Sequence, residues 1–568
     1  MIFYFIPSWY TEKHRWQTDE EPWYQPGSTG FDDSVSQIRM FRDQGEKIEL
    51  LNLSYFPLLR RFLHRQGLYP LPYWSAFDKA QDIHTQSIGV LSYRDLPWPE
   101  HTEWIYSPFS IFAMVQGKRY ARVNFTDGSE LLSVDYYGTG GALIRTDLYD
   151  DRGFCSSYRT YQDGRETWQY FLNPYGKLQF RENLTTGAVD TEPDAGYPFR
   201  RLHYVHIREM LREILTASAD DRTGNGAYII ASNSAHNRMV LETLRTERVA
   251  LSYFRNRFPY QDIEYLKRDA EKSSFLVTDT ADAATQIQAA LGEHHLPVYS
   301  ISPFDTRLVL GKSTQSRHLR IVFAAEDLPP KILQAALEQI YAYMRHNRDT
   351  ILLPLVHRDG AKDAITQICQ KVRNDGGYSE LLLSNESPAA PNGAEEEGTP
   401  GQEISARIFP TQCRSEEELI DILQDTRLIV DVRSHPDLYL QIAGISAGIP
   451  QINYQSTQYI EHKKDGYLIS DIHELGEALS YYLDGLAHWN EALVYCIQKI
   501  DRYKGKSLVH QWKEIFEGND SQTPDSALWT ADVSDSQSAD QRGTHPDGTG
   551  KPSAPRESPG VPTGNPDL

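Results

Sequence analysis

Hydrophobic and polar residues alternate in short blocks along the first hundred residues of the chain. Two apolar runs, Ile2–Ile6 and Ile48–Leu53, have the length of buried strands. Apolar residues recur at helical spacing from Val35 to Phe41 and from Pro57 to Arg65, and a glycine follows each stretch. Alternation of strands and helices is typical of a parallel sheet covered by helices. The pattern predicts a Rossmann-type domain that begins with residues 1–114.

The pattern changes at about Val115. From there to about Arg200, short aromatic and β-branched strands each end in Asp-Gly or another glycine-containing turn, as in RYARVNFTDG and FCSSYRTYQDG. Asp-Gly between alternating strands is a strong hairpin pattern. We therefore expect an antiparallel β module over residues 115–200, inserted into the first domain.

Alternation of strands and helices returns after the β module. Residues 201–300 are expected to complete the N-terminal Rossmann-like domain, and residues 301–490 to form a second one. A helix over 491–517 follows, with apolar residues in register from Trp489 to Ile500. The predicted fold class is α/β, with two Rossmann-type domains and an inserted antiparallel β module.

Two segments have compositions typical of disorder. Residues 386–403 are rich in Pro, Gly and Glu, and residues 518–568 are rich in Ser, Pro, Gly and Asp without any periodicity. Such segments contain too few apolar residues to offset the entropy of ordering. We expect a disordered loop and a disordered C-terminal tail.

The segment Leu428–Tyr454, LIVDVRSHPDLYLQIAGISAGIPQINY, is the most informative motif. A strand-like apolar run is followed by Ser434 and Asp437 in the spacing of a helix start, then by Gly448 as a helix end and Pro450 before the next strand. This outline resembles the sugar-nucleotide site of retaining glycosyltransferases with two Rossmann domains, the GT-B type. An equally simple interpretation is generic α/β architecture.

The carboxylates of that glycosyltransferase motif are missing. When the pattern of two glutamates is anchored on Gly448 and Pro450, the first falls on His435 and the second on Ala443. The resemblance implies that in such glycosyltransferases the two carboxylates bind the sugar and ribose hydroxyls of the donor. A site built on polar pairs loses much of its affinity when one partner is absent. The motif therefore predicts a degenerate donor site, without catalytic residues and without a cofactor.

Net charge and cysteine usage exclude several functions. The net charge of −21 argues against nucleic-acid binding and against electrostatic docking to anionic lipid. The four cysteines are scattered, without the spacing of a zinc site or a disulfide framework, so a reducing cytoplasm is the simplest compartment. The N-terminal run is too short for a signal peptide or a spanning helix.

Four segments together resemble one protein family. They are FYFIPSWY at the N-terminus, SISPFDTRLVLGKS at Ser300–Ser313, HPDLYLQIAGISAGIPQI from His435, and the stretch Tyr459–Leu493. Their order and spacing are similar to the first of the three accessory Sec proteins of Gram-positive bacteria. Those proteins serve the export of serine-rich-repeat glycoprotein adhesins. The similarity spans most of residues 1–517 and excludes the tail.

The resemblance implies a non-enzymatic scaffold or chaperone in the cytoplasm, which reaches the membrane only through its partners. The implied partners are the second and third accessory Sec proteins and the accessory motor ATPase, a second SecA paralogue. Glycosylated adhesin cargo is a further candidate partner. The resemblance also implies a GT-B-like fold whose last helix crosses back to the first domain. An active glycosyltransferase that modifies serine-rich adhesins and a passive glycan-binding chaperone stay open as alternatives.

Other motifs carry less weight. Gly311-Lys312-Ser313 lacks the earlier glycine of a phosphate loop, since Thr306 occupies that place. His435 is a weak candidate for a catalytic base because no partner for it is evident from the sequence. Asp437 places a negative charge at a helix start, which opposes phosphate binding there by about 1 kcal/mol.

Overall fold

The computed structural model describes residues 1–11, 16–18, 32–222, 226–244, 246, 248–254, 263–292, 296–358, 360–385 and 406–518. The predicted disordered loop 386–403 lies outside these residues. The predicted tail, apart from its first residue Gly518, also lies outside them. The described residues form one compact unit.

The first Rossmann-type domain begins as the sequence predicts. Its first elements are β1 (Ile2–Ile6), α1 (Asp33–Asp43), β2 (Lys47–Asn52), α2 (Leu59–Arg65), β3 (Tyr73–Ser75) and α3 (Ala76–Ala80). All residues of β1 after Ile2 are buried, because the strand lies in the middle of a parallel sheet that is covered on both faces.

An antiparallel sheet follows. Its strands are β4 (Glu103–Tyr106), β5 (Ile111–Val115), β6 (Lys118–Phe125), β7 (Leu131–Tyr137), β8 (Leu143–Asp150), β9 (Phe154–Gln162), β10 (Arg165–Leu172), β11 (Leu178–Asn183), β12 (Val189–Thr191) and β13 (His203–Tyr204). They lie in the sheet in chain order. The sheet therefore starts before the expected boundary at residue 115, because Trp104 and Ala113 pair across a hairpin that the turn pattern did not mark.

The first domain then resumes. Its later elements are α4 (Ile207–Asp221), β14 (Gly226–Ala231), α5 (Asn237–Thr243), β15 (Val249–Tyr253), α6 (Ile263–Ala270), β16 (Phe275–Thr278), α7 (Ala281–Leu291) and β17 (Val298–Ser300). Over the described residues, the parallel sheet has the order β17-β16-β15-β14-β1-β2-β3. The order reverses between β1 and β14, as in doubly wound folds.

The second domain repeats this architecture. Its elements are β18 (Leu319–Ala324), α8 (Pro330–His346), β19 (Thr350–Val356), α9 (Ala361–Asp375), β20 (Leu382–Leu383), β21 (Ala406–Ile408), β22 (Thr411–Gln412), α10 (Glu416–Gln424), β23 (Thr426–Asp431), α11 (Leu438–Ala447), β24 (Gln451–Asn453), β25 (Gly466–Leu468) and α12 (Leu475–Leu483). Its strands are parallel, and their order reverses between β18 and β23. The predicted α/β class with two Rossmann-type domains is thus confirmed.

Two helices end the described chain, α13 (Ala487–Ile500) and α14 (Gly505–Glu517). The prediction of one continuous helix was wrong. Thr306 contacts the break, where its hydroxyl donates to the carbonyl of Ile500 at 2.8 Å and its N–H donates to the carbonyl of Tyr503 at 3.0 Å. These contacts satisfy carbonyl groups that the interrupted helix leaves without partners. After the break, α14 packs against α1 of the first domain.

Apolar cores lie on both faces of each parallel sheet. One core of the first domain includes Phe3, Phe41 and Trp512, and it extends to Ile442 and Ile445 of α11 in the second domain. The two domains therefore share buried apolar surface as well as a covalent linker. In the part of the chain that the structure describes, no helix is both long and apolar enough to span a membrane.

Candidate functional site: the crevice of the second domain

The reversal of strand order in the second domain creates a crevice at the carboxyl ends of β18 and β23. In doubly wound sheets, ligands bind in this position. Here the segment after β18 carries Glu326, whereas β23 ends at Asp431 and the segment that follows leads through Asp437 into α11. The crevice is therefore the candidate ligand site of the second domain.

The N-terminus of α11 is capped by a carboxylate. Asp437 is the N-cap residue, and its side chain accepts a hydrogen bond from the Leu440 N–H at 3.2 Å. The N–H of Asp437 in turn donates to the Asp431 carboxylate at 2.9 Å. Our expectation of a helix start at Ser434 was wrong, because Pro436 disfavours helical conformation at the residue before it. Two carboxylates thus occupy the end of the helix that would attract a phosphate.

Arg433, in the segment that leads into α11, is already paired. Arg433 donates to Asp431 through Nε at 2.8 Å and through Nη2 at 2.6 Å. The Asp431 side chain is 1% exposed, so the pair is almost fully withdrawn from water. Burial disfavours the charged guanidinium, but the Asp431 carboxylate outweighs burial and raises the pKa of Arg433. This guanidinium is therefore committed to a carboxylate of its own chain.

The opposite side of the crevice carries a third acidic group. Glu326 accepts hydrogen bonds from the N–H of His357 at 2.8 Å and from Nε of Arg358 at 2.6 Å. Burial opposes ionisation of Glu326, but these hydrogen bonds lower its pKa. The imidazole Nε2 of His357 lies 3.6 Å from the Asp437 carboxylate. The crevice thus presents three carboxylates whose hydrogen bonds are already made within the chain.

Ala443 lies in packed apolar surroundings. It is 5% exposed and belongs to a cluster with Leu440 of its own helix and Ile429 of β23. The other side of α11 places Ile442 and Ile445 in the core of the first domain. A helix that is apolar all round is a core helix. A carboxylate at position 443 would be buried among aliphatic side chains without a partner, which is unfavourable.

His435 lies elsewhere, on the exposed rim of a shallow cleft. Its Nδ1 is 2.6 Å from the carbonyl oxygen of Ser434. The cleft has an empty volume of about 400 Å³, including space open to solvent, and Asp279, Thr280 and Asp282 of the first domain line it together with His435. The structure therefore separates the two predicted positions, with His435 at the cleft and Ala443 inside the core.

Gln458 and Tyr459 tie the two domains together beside this cleft. Gln458 donates to the carbonyl of Asp279 at 3.2 Å and to Ser300 Oγ at 3.1 Å, and it accepts from the Ala281 N–H at 3.1 Å. The hydroxyl of Tyr459 also donates to the Asp279 carbonyl, at 2.5 Å. At the N-terminus of α7, the Ala281 N–H thus donates to Gln458 and the Ala283 N–H donates to the Thr280 side chain. The N-termini of α7 and α11 are therefore both capped by residues of this chain.

Sequence reasoning missed most of these groups. Asp431 ends the buried strand β23 and Arg433 follows it, so the position of charged residues after an apolar run could have indicated them. Glu326 and Arg358 are 32 positions apart, and only the pairing of β18 with β19 brings them together. No local pattern identifies Gln458 as an interdomain contact.

We expect the substitution Asp437→Ala to lower the free energy of unfolding by about 1 kcal/mol, because it removes the side-chain cap of α11. Urea denaturation of both proteins measures the difference. Asp437→Asn, which keeps a capping oxygen, should recover most of the loss. A stability equal to that of the wild type in the alanine variant would contradict the capping role.

The two Rossmann-type domains and the inserted sheet define a protein of the GT-B class. The fold is similar to the crystal structure of the pneumococcal O-GlcNAc transferase GtfA in complex with UDP and GlcNAc. That comparison has a TM-score of 0.65 over 92% of this chain and 99% of the other, at 13% sequence identity. At that identity the likeness shows the fold alone, and it confirms the GT-B expectation.

The particular family follows from the sequence match. The model of the accessory Sec system protein ASP1 family matches residues 2–518, and the chain belongs to this family. The accessory Sec system protein ASP1 of Streptococcus gordonii is 35% identical over 520 residues, which are 90% of this chain and 98% of that protein. A crystal structure of accessory secretory proteins 1, 2 and 3 from Streptococcus pneumoniae contains a chain with 32% identity and a TM-score of 0.76. The alignment covers 91% of this chain and all of that one. The family resemblance is confirmed.

Proposed function

We propose that the chain is a non-catalytic scaffold or chaperone of the accessory Sec system. In this proposal it assembles with the second and third accessory Sec proteins in the cytoplasm. It contacts the accessory motor ATPase, and it helps deliver glycosylated serine-rich-repeat adhesins to the translocase. Contact with the membrane is through these partners. Family membership and the pneumococcal crystal structure, which contains accessory secretory proteins 1, 2 and 3, support the assembly.

The absence of catalysis rests on one observation, the carboxylate cap on α11. A nucleoside diphosphate binds where free backbone N–H groups and cations converge. Here the Leu440 N–H already donates a hydrogen bond to the Asp437 side chain. The Asp437 N–H and the Arg433 guanidinium both donate to the Asp431 carboxylate. An incoming phosphate would have to displace these hydrogen bonds and approach like charges. The replacement of family glutamates by His435 and Ala443 supports the same conclusion.

An active glycosyltransferase is the second candidate function. The observation in its favour is the fold likeness to GtfA over 92% of the chain, a span that includes the inserted sheet. In this alternative His435, exposed at the cleft, would contact the donor. The buried position of Ala443 and the occupied helix start argue against it.

Calorimetric titration of UDP-GlcNAc into the purified protein tests the proposal. We expect no saturable heat up to millimolar donor and no hydrolysis of the donor, with pneumococcal GtfA as a positive control in the same buffer. Saturable binding together with hydrolysis would contradict the proposal. If His435→Ala then abolished the hydrolysis, the glycosyltransferase alternative would replace it.

A further inference from the structure

One buried arginine of the second domain has no anionic partner in the described part of the chain. Arg427, the second residue of β23, is 6% exposed, and its Nη1 is buried. Its guanidinium forms no hydrogen bond or ion pair with any residue that the structure describes. Each of the other buried arginines forms an ion pair with a carboxylate; they are Arg60, Arg61, Arg152 and Arg159.

The burial of this guanidinium is unfavourable by itself. Burial lowers the pKa of Arg427, and no carboxylate among the described residues offsets that effect. A buried polar group without a partner commonly binds water, an ion or a ligand, and an uncompensated buried charge is strongly destabilising. The guanidinium stacks on the ring of Trp489, with 4.5 Å between its carbon and the ring centroid. Such stacking recovers only part of the loss and leaves the N–H donors available for an anion.

The same stack places Arg427 beside the N-terminus of α13. Trp489 is the third residue of this 14-residue helix, and its indole N–H donates to the Arg427 carbonyl at 2.9 Å. Among the described residues, no side chain caps the helix at Leu486, and the first turn carries no acidic residue. Free N–H groups at a helix start attract anions. An unpaired guanidinium and the positive end of a helix therefore lie side by side.

Neighbouring segments add positive charge at this end of the sheet. The N–H of Lys312 donates to the carbonyl of Gln424, three residues before Arg427, at 2.6 Å. The Lys312 side chain is exposed. Arg320 of the adjacent strand β18 pairs with Asp425 at 3.7 Å. Together with Arg427, these side chains carry three positive charges and one negative charge. In a chain with a net charge of −21, this local excess of positive charge attracts anions.

We propose that Arg427 and the N-terminus of α13 form a binding site for the phosphate group of a small soluble molecule. A phosphate group has three strong acceptor oxygens, so it can accept from a guanidinium and from helix N–H groups at once. The site is separate from the crevice. Asp431 ends β23 at the crevice, whereas Arg427 lies four residues earlier, about 13 Å away along the strand. The inference is therefore independent of the proposed function.

A lipid headgroup is a poorer source of this phosphate. The net charge of −21 opposes approach to an anionic membrane. Binding to anionic lipid typically relies on clusters of exposed Lys and Arg side chains, whereas the Arg427 side chain is buried. The burial favours a small ligand that can enter beside the helix.

Thermal denaturation with inorganic phosphate as the probe tests the proposal. The melting temperature of the full chain is measured at increasing phosphate, with the ionic strength held constant by sodium chloride. We expect a saturable increase of about 3 °C or more for the wild type, and no saturable increase for Arg427→Gln. Arg317→Gln is the matched control. Arg317 pairs with Asp349 at 3.8 Å just before β18, its side chain is 84% exposed, and its replacement should preserve the wild-type increase.

Two further measurements separate the parts of the site. In phosphate-free buffer, Arg427→Met should melt at the wild-type temperature or above it, because it removes an uncompensated buried charge. A lower melting temperature would contradict that charge. Phosphate should slow hydrogen–deuterium exchange of the amides of residues 487–489 at least tenfold in the wild type and leave it unchanged in Arg427→Gln. Unchanged exchange of these amides in the wild type would exclude the N-terminus of α13 from the site.

The same variants distinguish this site from the crevice. An equal phosphate response in the wild type and Arg427→Gln, or no saturable response in the wild type, would overturn the proposed site. Heat from UDP-GlcNAc that Arg427→Gln abolishes would come from this site, whereas heat that persists in the variant would contradict the proposed function. Phosphatidylglycerol vesicles that bind the wild type and not Arg427→Gln, in the absence of a response to inorganic phosphate, would overturn the soluble ligand.

Discussion

A chain that ends at Lys504 is expected to lose its cooperative unfolding transition, whereas a chain that ends at Gly518 keeps it. The difference between them is α14, which buries Leu508, Val509, Trp512 and Phe516 in the first domain. Burial of an apolar side chain of this size contributes about 1.5–3 kcal/mol. Four such side chains contribute about as much as the whole net stability of a typical domain, 5–15 kcal/mol.

The aromatic side chains of α14 pack directly on strands of the first sheet. The ring of Phe516 lies 4.9 Å from Phe275 of β16 and 6.1 Å from Phe3 of β1, and Trp512 is fully buried. Removal of the helix would expose the central strands of the first sheet on one face. Thermal denaturation followed by circular dichroism compares the two truncated chains. A sharp transition in the chain ending at Lys504 would show that the first domain folds without α14.

Point variants of Trp512 test how much this one side chain contributes to the stability that α14 provides. Trp512→Ala should lower the free energy of unfolding by about 3–5 kcal/mol, the usual loss for a large buried aromatic side chain. Trp512→Phe should cost less than half as much, because the indole N–H has no hydrogen-bond partner among the described residues and its removal breaks no bond. Lys513→Ala is the control on the same helix. It removes a partly exposed ion pair with Glu46 at 2.7 Å, and it should cost less than about 1 kcal/mol.

The sequence predicted the fold well because apolar periodicity repeats many times along this chain. The strand at Ile2–Ile6, the hairpins closed by Asp-Gly and the helix ending at Gly448 each follow from local rules, and Gly448 has the left-handed conformation expected of a helix end, with φ of 73°. Prediction failed where a tertiary contact decides the structure. At the break before Gly505, the carbonyl of Ile500 accepts a hydrogen bond from Thr306, which is 194 positions away in the sequence.

The candidate site was predictable only in part. The motif comparison placed the candidate site in the segment that includes His435 and Ala443, and the loss of two carboxylates at these positions stays a prediction. It could not show that α11 is buried on both sides, because its contacts come from two different domains. The pairing of Glu326 with Arg358, and the contact of Gln458 with Asp279, likewise depend on the folded arrangement. The sequence thus predicts the loss of two carboxylates, whereas the contacts made by Glu326 and Gln458 are visible only in the structure.

The substitution Arg60→Met is expected to lower the free energy of unfolding by about 3–5 kcal/mol, because it leaves the buried Asp151 carboxylate without its ion-pair partner, whereas Asp150 keeps Arg152. Arg60 is 1% exposed and lies on α2 of the first domain. Its guanidinium binds Asp151 through Nε and Asp150 through Nη2, and both aspartates lie at the end of β8 in the inserted sheet. Arg152 joins the same network through Asp78 at 2.8 Å. Charged groups therefore fasten the inserted sheet to the Rossmann core.

Urea denaturation measures the loss, with Arg42→Met on α1 as the matched control. Arg42 pairs with Asp43 at the surface at 2.8 Å, and its replacement should cost less than about 1 kcal/mol. The double variant Arg60→Met with Asp151→Leu separates two causes of the loss. If the uncompensated charge of Asp151 is the cause, the double variant should be more stable than Arg60→Met alone. Equal or lower stability of the double variant would instead assign the loss to the packing and hydrogen bonds of Arg60, since replacement of the aspartate would then bring no relief.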